Sequence, residues 1–256
     1  MRPQVVFITG ASSGIGAALA RYYAAHGATL GLAARRGDAL ESLSASLPGK
    51  HHCYSLDVSD AAALADAAQR FIAAAGVPDV VIANAGVSVG TLTQEASDNQ
   101  AFRRVMEINV LGMVHTFQPF MAAMLGHKSG RLVGIASVAG IRGLPGAGAY
   151  SASKSAAITY LESLRVELRG SGVKVVTIAP GYIRTPMTDA NNYAMPFMLE
   201  PDEAARRFAK AIEIGKSYTV IPWQMGLVAK LMRLLPNCLF DRLAAKAGRK
   251  PRNLPL

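Results

Sequence analysis

Short β-branched apolar runs alternate along the chain with longer alanine-rich stretches in which apolar residues recur every three or four positions. This is the pattern of repeated βαβ units. The runs predict strands at 4–8, 29–33, 52–56, 80–83, 131–136, 174–178 and 218–221. Between them the spacing predicts helices near 14–26, 38–47, 60–75, 100–126, 150–169 and 202–213. The expected fold class is therefore α/β, a doubly wound parallel sheet of about seven strands covered on both faces. Such a sheet opens a ligand crevice beyond the carboxyl ends of its strands, at the point where strand order reverses. No repeat, linker or apolar run long enough to span a bilayer interrupts the alternation.

The alternation stops near Pro222, so residues 1–222 are read as one domain and 223–256 as an extension packed on it or appended to it. In the extension, Leu227, Val228, Leu231, Leu234 and Leu235 recur at helical spacing with Lys230 and Arg233 on another face. Pro236 interrupts, then Leu239, Phe240 and Leu243 repeat the pattern beside Arg242 and Lys246. Two short basic amphipathic helices are expected. Their apolar stripe fits three uses: an anionic lipid surface, a subunit interface, or a cover over a ligand pocket.

Composition narrows the picture. At 256 residues, 51% hydrophobic and 17% charged, the chain has the size and apolar content of one large folded domain. Cys53 and Cys238 stand alone, without the spacing of a zinc site or disulfide framework, and His26, His51, His52, His115 and His127 are scattered; no metal site and no histidine role are expected. The opening MRPQVVFITG runs directly into a strand, which predicts no leader and a cytoplasmic protein, with peripheral contact at the inner face of a membrane if the tail binds lipid. Seven Lys/Arg against the single acid Asp241 put +6 of the total +10 charge in residues 223–256. The basicity belongs to the tail, and no nucleic-acid-binding motif accompanies it.

TGASSGIG at 9–16 follows the first strand and opens the first helix. Thr9, Gly10, Ser12, Ser13, Gly14, Ile15 and Gly16 are thus candidates to hold a pyrophosphate on backbone amides and the positive helix end. After the second strand, where a dinucleotide fold usually places an acid for the adenosine ribose, the chain reads Ala33, Ala34, Arg35, Arg36. Arg35 and Arg36 favour a 2′-phosphate and hence NADP(H), with NAD(H) the other option.

Tyr150 and Lys154 lie four apart at a helix start and share a face; Ser137 follows the fifth strand and Asn109 sits in the preceding long helix. With TGASSGIG, LDV at 56–58, NAG at 84–86, EINVLG, Ser137, YSASK at 150–154 and PGYIRT at 180–185, the chain resembles the short-chain dehydrogenase/reductase family, of the TGxxxGxG and YxxxK type, as far as about Pro222. The resemblance implies a Rossmann-like NAD(P)-binding catalytic domain and an oxidoreductase. It implies that Asp57 and Val58 border the adenine and that Asn84, Ala85 and Gly86 lie along the ribose. Ile183 and Thr185, beyond Pro180 and Gly181, would approach the nicotinamide. Ala83 stands where the family often has Asn, which predicts altered hydrogen bonding at a sheet edge and intact catalysis. A homodimer or homotetramer, paired through the helices at 100–126 and 150–169, is implied as well.

The chemistry can be argued from the side chains. Hydride transfer to a carbonyl builds negative charge on oxygen, so the site needs a donor and a proton there. Tyr150 is the expected proton-transfer group, its phenol made more acidic by the Lys154 ammonium, which also holds the nicotinamide ribose. Ser137 is expected to bond the substrate oxygen and Asn109 to hold a water linking Lys154 to solvent. Residues 186–199, with Met187, Tyr193, Met195, Phe197, Met198 and Leu199, read as a lid. Val87, Val89, Val138, Gly143, Leu144 and Pro145 read as the opposite wall, so the substrate contacts are expected at Ser137, Val138, Leu144, Tyr150 and Met187. A small hydrophobic carbonyl of lipid, sphingoid or steroid character is the expected substrate. The alternatives are a reductase of small polar ketones and a dinucleotide-sensing protein without turnover.

Overall fold

The computed structural model describes residues 4–246 and 248–254. Seven strands form one parallel sheet: β1 (Val5–Thr9), β2 (Thr29–Ala34), β3 (His52–Ser55), β4 (Val80–Ala83), β5 (Gly130–Ile135), β6 (Val173–Pro180) and β7 (Tyr218–Ile221). Their spatial order is β3-β2-β1-β4-β5-β6-β7. The chain winds outward from β1 to β3, returns to place β4 on the other side of β1, and winds outward again. Its switch point lies between the carboxyl ends of β1 and β4.

Helices α1 (Gly14–Ala25), α2 (Gly37–Ser46) and α3 (Ala61–Ala75) follow the first three strands. After β4 the helix expected near 100–126 forms as α4 (Asp98–Met106), a π-helical segment (Glu107–Leu111) and α5 (Gly112–His127). Together they make a 30-residue helix, long and apolar enough by length and composition to cross a membrane, although its Phe117, Phe120 and Met124 are buried on the sheet. A 3-10 turn (Val138–Gly140) and α6 (Gly148–Glu167) follow β5; α7 (Pro186–Asp189) and α8 (Pro201–Glu213) follow β6; α9 (Trp223–Leu234) and α10 (Asn237–Ala244) follow β7.

Alternation along β1 builds both halves of the core. Val6 and Ile8 face the layer of α1 and α8 with Leu19, Leu40 and Phe208. Val5 and Phe7 face the layer of α3, α5 and α6 with Phe71, Phe120 and Leu161. The Phe7 ring lies 4.9 Å from that of Phe120 and 5.4 Å from that of Phe71. Gly31 on β2 admits this cluster, because a Cβ there would fall 2.9 Å from the Phe71 ring. Ala83 pairs in register with Gly134 on a strand flanked by β1 and β5. It is buried and lies in the interior of the sheet rather than at the expected edge.

Candidate active site

At the switch point the strand ends surround a crevice of about 560 Å³. The turn after β1 forms one wall with Gly10, Ser12, Ser13, Gly14 and Ile15. Ser13 precedes α1 without a side-chain cap, and the first turn carries no acid, so the leading N–H groups and the positive helix end have no competing anion in that turn. Arg35, Arg36, Asp57 and Val58 line the crevice at the β2–β3 side, followed by Asn84, Ala85 and Gly86 after β4. Pro180 at the end of β6 and Gly181, Ile183, Thr185 and Met187 beyond it also line the crevice. Arg36 Nη2 donates to Ser12 Oγ at 3.2 Å, joining the arginine pair to the glycine turn.

Thr9 and Gly16, expected among the ligand contacts, do not line the crevice; they shape it from behind. Thr9 is buried, and its Oγ1 donates to Ile82 O at 3.4 Å while accepting from Asn84 N at 3.2 Å and Ala85 N at 3.3 Å. Asn84 Nδ2 answers with bonds to Thr9 O at 3.0 Å and Gly10 O at 3.2 Å. Gly16 presses α1 against this knot, where a Cβ would lie 2.7 Å from Asn84 Nδ2. The Asp57 carboxylate accepts from Ser59 N at 2.9 Å, from Ser59 Oγ at 2.7 Å and from Arg104. Burial pushes its pKa up, but these bonds outweigh burial and hold it below the usual range.

Ser137, Tyr150 and Lys154 meet at the other end of the crevice. Tyr150 and Lys154 face it from the first turns of α6, and Ser137 caps the 3-10 turn after β5, its Oγ accepting from Ala139 N at 3.2 Å. Lys154 Nζ donates to Ile135 O at 2.9 Å and stands 5.8 Å from the centre of the Tyr150 ring. Burial lowers its pKa to about 8. Burial also pushes the Tyr150 hydroxyl up, and a hydrogen bond with Ser137 offsets part of that rise. Ser137 is thus a second group, beside the expected Lys154, that favours ionisation of the phenol.

Asn109 is brought close to the set. The π-helical segment turns it inward, where its Oδ1 accepts from Val87 N at 2.8 Å. Its Nδ2 donates to Val87 O at 3.0 Å and Ser153 Oγ at 2.9 Å. The side chain ties the segment after β4 to α6.

The short chain dehydrogenase family model matches residues 4–195 of this chain. The chain belongs to the short-chain dehydrogenase/reductase family. It is accordingly an oxidoreductase of a family that binds a nicotinamide dinucleotide. An uncharacterized oxidoreductase from Myxococcus xanthus (strain DK1622) is 39% identical over 249 residues, spanning 96% of this chain and 98% of that protein. Dehydrogenase/reductase SDR family member 7B from Bos taurus is 34% identical over 273 residues, spanning 98% of this chain and 83% of the relative. A short-chain dehydrogenase from Streptomyces avermitilis has the same fold at a TM-score of 0.79 and 25% identity, over 96% of this chain and 95% of that one.

Within this short-chain dehydrogenase/reductase frame the expected substrate wall is only partly assembled at the crevice. Val87 and Met187 line it; Val138, Leu144, Val89, Gly143 and Pro145 do not. Val89 turns into a satellite cluster with Val105 and Ala149, and Leu144 N is held by Ser151 Oγ at 3.2 Å. Residues 186–199 stand beside the Ser137–Tyr150 end. Thr185 and Thr188 form a capping box around α7, and Tyr193 stacks edge-on to Tyr182 at 6.4 Å. Sequence reasoning missed Ser153, though YSASK contains it, and missed Arg104, which no motif marks.

Proposed function

We propose that the protein is an NADPH-preferring oxidoreductase that transfers a hydride between nicotinamide and the carbonyl or secondary-alcohol carbon of a hydrophobic substrate. The observation that carries this reading is one crevice with a cationic, glycine-lined end and a Tyr150–Ser137–Lys154 end. The residues fit a dinucleotide: the uncapped α1 N-terminus suits a pyrophosphate, and Arg35 and Arg36 suit a 2′-phosphate. When bound, the nicotinamide supplies or accepts the hydride. Ser137 orients the substrate oxygen, and the Tyr150 hydroxyl gives it a proton in reduction and takes one in oxidation. Lys154 keeps positive charge beside the phenol, which favours the phenolate that oxidation requires. Because the set is complete, a dinucleotide-sensing protein without turnover is the weaker reading.

A hydrophobic substrate is supported by Val87, Ile108 and Met187 in the crevice wall. The tail supports access from a lipid surface. Its stripe of Trp223, Leu227, Leu231 and Leu234 is exposed on α9, the last at 81%, and Leu239 and Leu243 continue it on α10. Lys230, Arg242 and Lys246 are exposed on the same two-helix extension, and an apolar groove of about 390 Å³ opens beside Ala229 and Val220. Phe102, Leu111, Leu125 and Val166 are exposed on α4, the π-helical segment, α5 and α6, which supports pairing of subunits through those helices. The free thiols Cys53 and Cys238 accord with a cytoplasmic location, peripheral to the membrane. The test is NADPH oxidation with ketones and aldehydes of graded chain length. Turnover with a length optimum is expected; NADPH binding without turnover of any carbonyl, or of the matching alcohols with NADP, overturns the reading.

A further inference from the structure

Residues 248–254 run between two banks: residues 186–199, which carry Met187 of the crevice wall, and the loops after β4 and β5. On one bank, Gly248 packs on Tyr193, where a Cβ would lie 2.8 Å from the ring Cγ. Lys250 Nζ donates to Met187 O and to Asn191 Oδ1, each at 3.1 Å. On the other bank, Gly90 N donates to Pro251 O at 2.8 Å, and the Arg249 side chain runs along Gly146. Two anchors hold the segment down. Arg252 grips the buried Asp98 through Nε at 2.9 Å and Nη2 at 3.1 Å and reaches Glu95 at 3.5 Å. Leu254 packs into the cluster of Val89, Val105 and Ala149.

The location matters because Met187 lines the same crevice as Ser137 and Tyr150, and Lys250 holds the Met187 carbonyl oxygen. Ala149, under Leu254, immediately precedes Tyr150. Resting on the hydride-transfer reading above, we infer that residues 248–252 form a specificity-determining strap. The strap is the outer wall of the substrate site: it ties residues 186–199 to the loops after β4 and β5, and the Arg252–Asp98 clasp sets how far that wall opens. A two-pronged guanidinium–carboxylate pair, a backbone bond and an apolar anchor together fix this segment to one course between the banks.

The test uses full-length Arg252→Met, Arg252→Lys and Gly90→Ala. The first removes the clasp and the second keeps its charge. The third lifts the strap from the other bank, because a Cβ on Gly90 collides with Lys250 O. Hydrogen exchange of residues 186–199 is read with KM and kcat over the graded ketones, and NADPH affinity is read by fluorescence titration. Arg252→Met is expected to speed exchange of 186–199 roughly tenfold, as loss of a charge-assisted pair implies, and Gly90→Ala to speed it as well. They should also raise KM for short ketones and flatten the length preference at unchanged NADPH affinity, with Arg252→Lys intermediate. Unchanged exchange of 186–199 in both variants, while residues 248–254 themselves exchange faster, overturns the strap. Exchange needs no turnover, so a wild-type chain inactive on every carbonyl and on the matching alcohols refutes the hydride-transfer reading separately.

Discussion

Reversing charge where β2 ends tests the cofactor assignment directly. Arg35 and Arg36 are exposed and line the crevice, and Arg36 is bonded to Ser12 at 3.2 Å. A guanidinium–phosphate bond contributes about 1.5–3 kcal/mol. Exposure and salt move that toward the lower end, about tenfold in affinity per arginine and about a hundredfold for the pair. Aspartate removes this term and offers ribose hydroxyls an acceptor. The fold should survive, since Arg36 is the N-cap of α2, a position that aspartate favours. The assay is kcat/KM for NADPH and NADH with one ketone, backed by cofactor titration. Arg35→Asp and Arg36→Asp should each lower the NADPH to NADH ratio roughly tenfold, the double variant about a hundredfold, and added salt should lower the wild-type ratio. An unchanged ratio in the double variant refutes the 2′-phosphate assignment.

Tyr150→Phe should lower kcat by about 10² to 10⁴ at unchanged cofactor affinity, a loss read by single-turnover kinetics; near-full turnover would remove the mechanism. Lys154 gives a stability signature. Its pKa falls from 10.5 to about 8 on folding, so between those values the unfolded chain binds more protons and wild-type stability rises with pH. Relative to Lys154→Met, the wild-type Tm should climb from pH 8 to pH 10 and stay level below pH 7; parallel Tm curves would contradict a buried ammonium. For the tail, the full chain should float with anionic vesicles and less with neutral ones, and Leu231→Glu with Leu234→Glu should abolish flotation. Absence of flotation by the wild-type chain removes the lipid reading.

The sheet was legible because its information is local. A buried parallel strand must be apolar on both faces, and its helix must repeat its apolar residues every three or four positions; the runs near 4–8 and 80–83 therefore gave β1 and β4 to within one residue. TGASSGIG, Tyr150 and Lys154 were legible for a related reason, since turn, helix start and side-chain spacing are set within a few residues. What spacing could not show was direction. Thr9 belongs to a motif yet points into the knot with Asn84, Asn109 is rotated by a π-helical segment toward Val87 and Ser153, and Val89 turns away from the crevice.

The tail marks the boundary most clearly. Its periodicity alone determined two helices broken near Pro236, and its charge alone made it basic. Only the tertiary structure decided that Trp223, Leu227 and Leu231 stay exposed while Arg142, 90 residues or more earlier in the chain, caps the carboxyl end of α9 through Met232 O and Leu235 O. It likewise decided that Arg252 reaches Asp98, 154 residues away. Periodicity is a property of neighbours and survives in the unfolded chain, whereas a contact between distant residues exists only once the sheet has brought their loops to the same end.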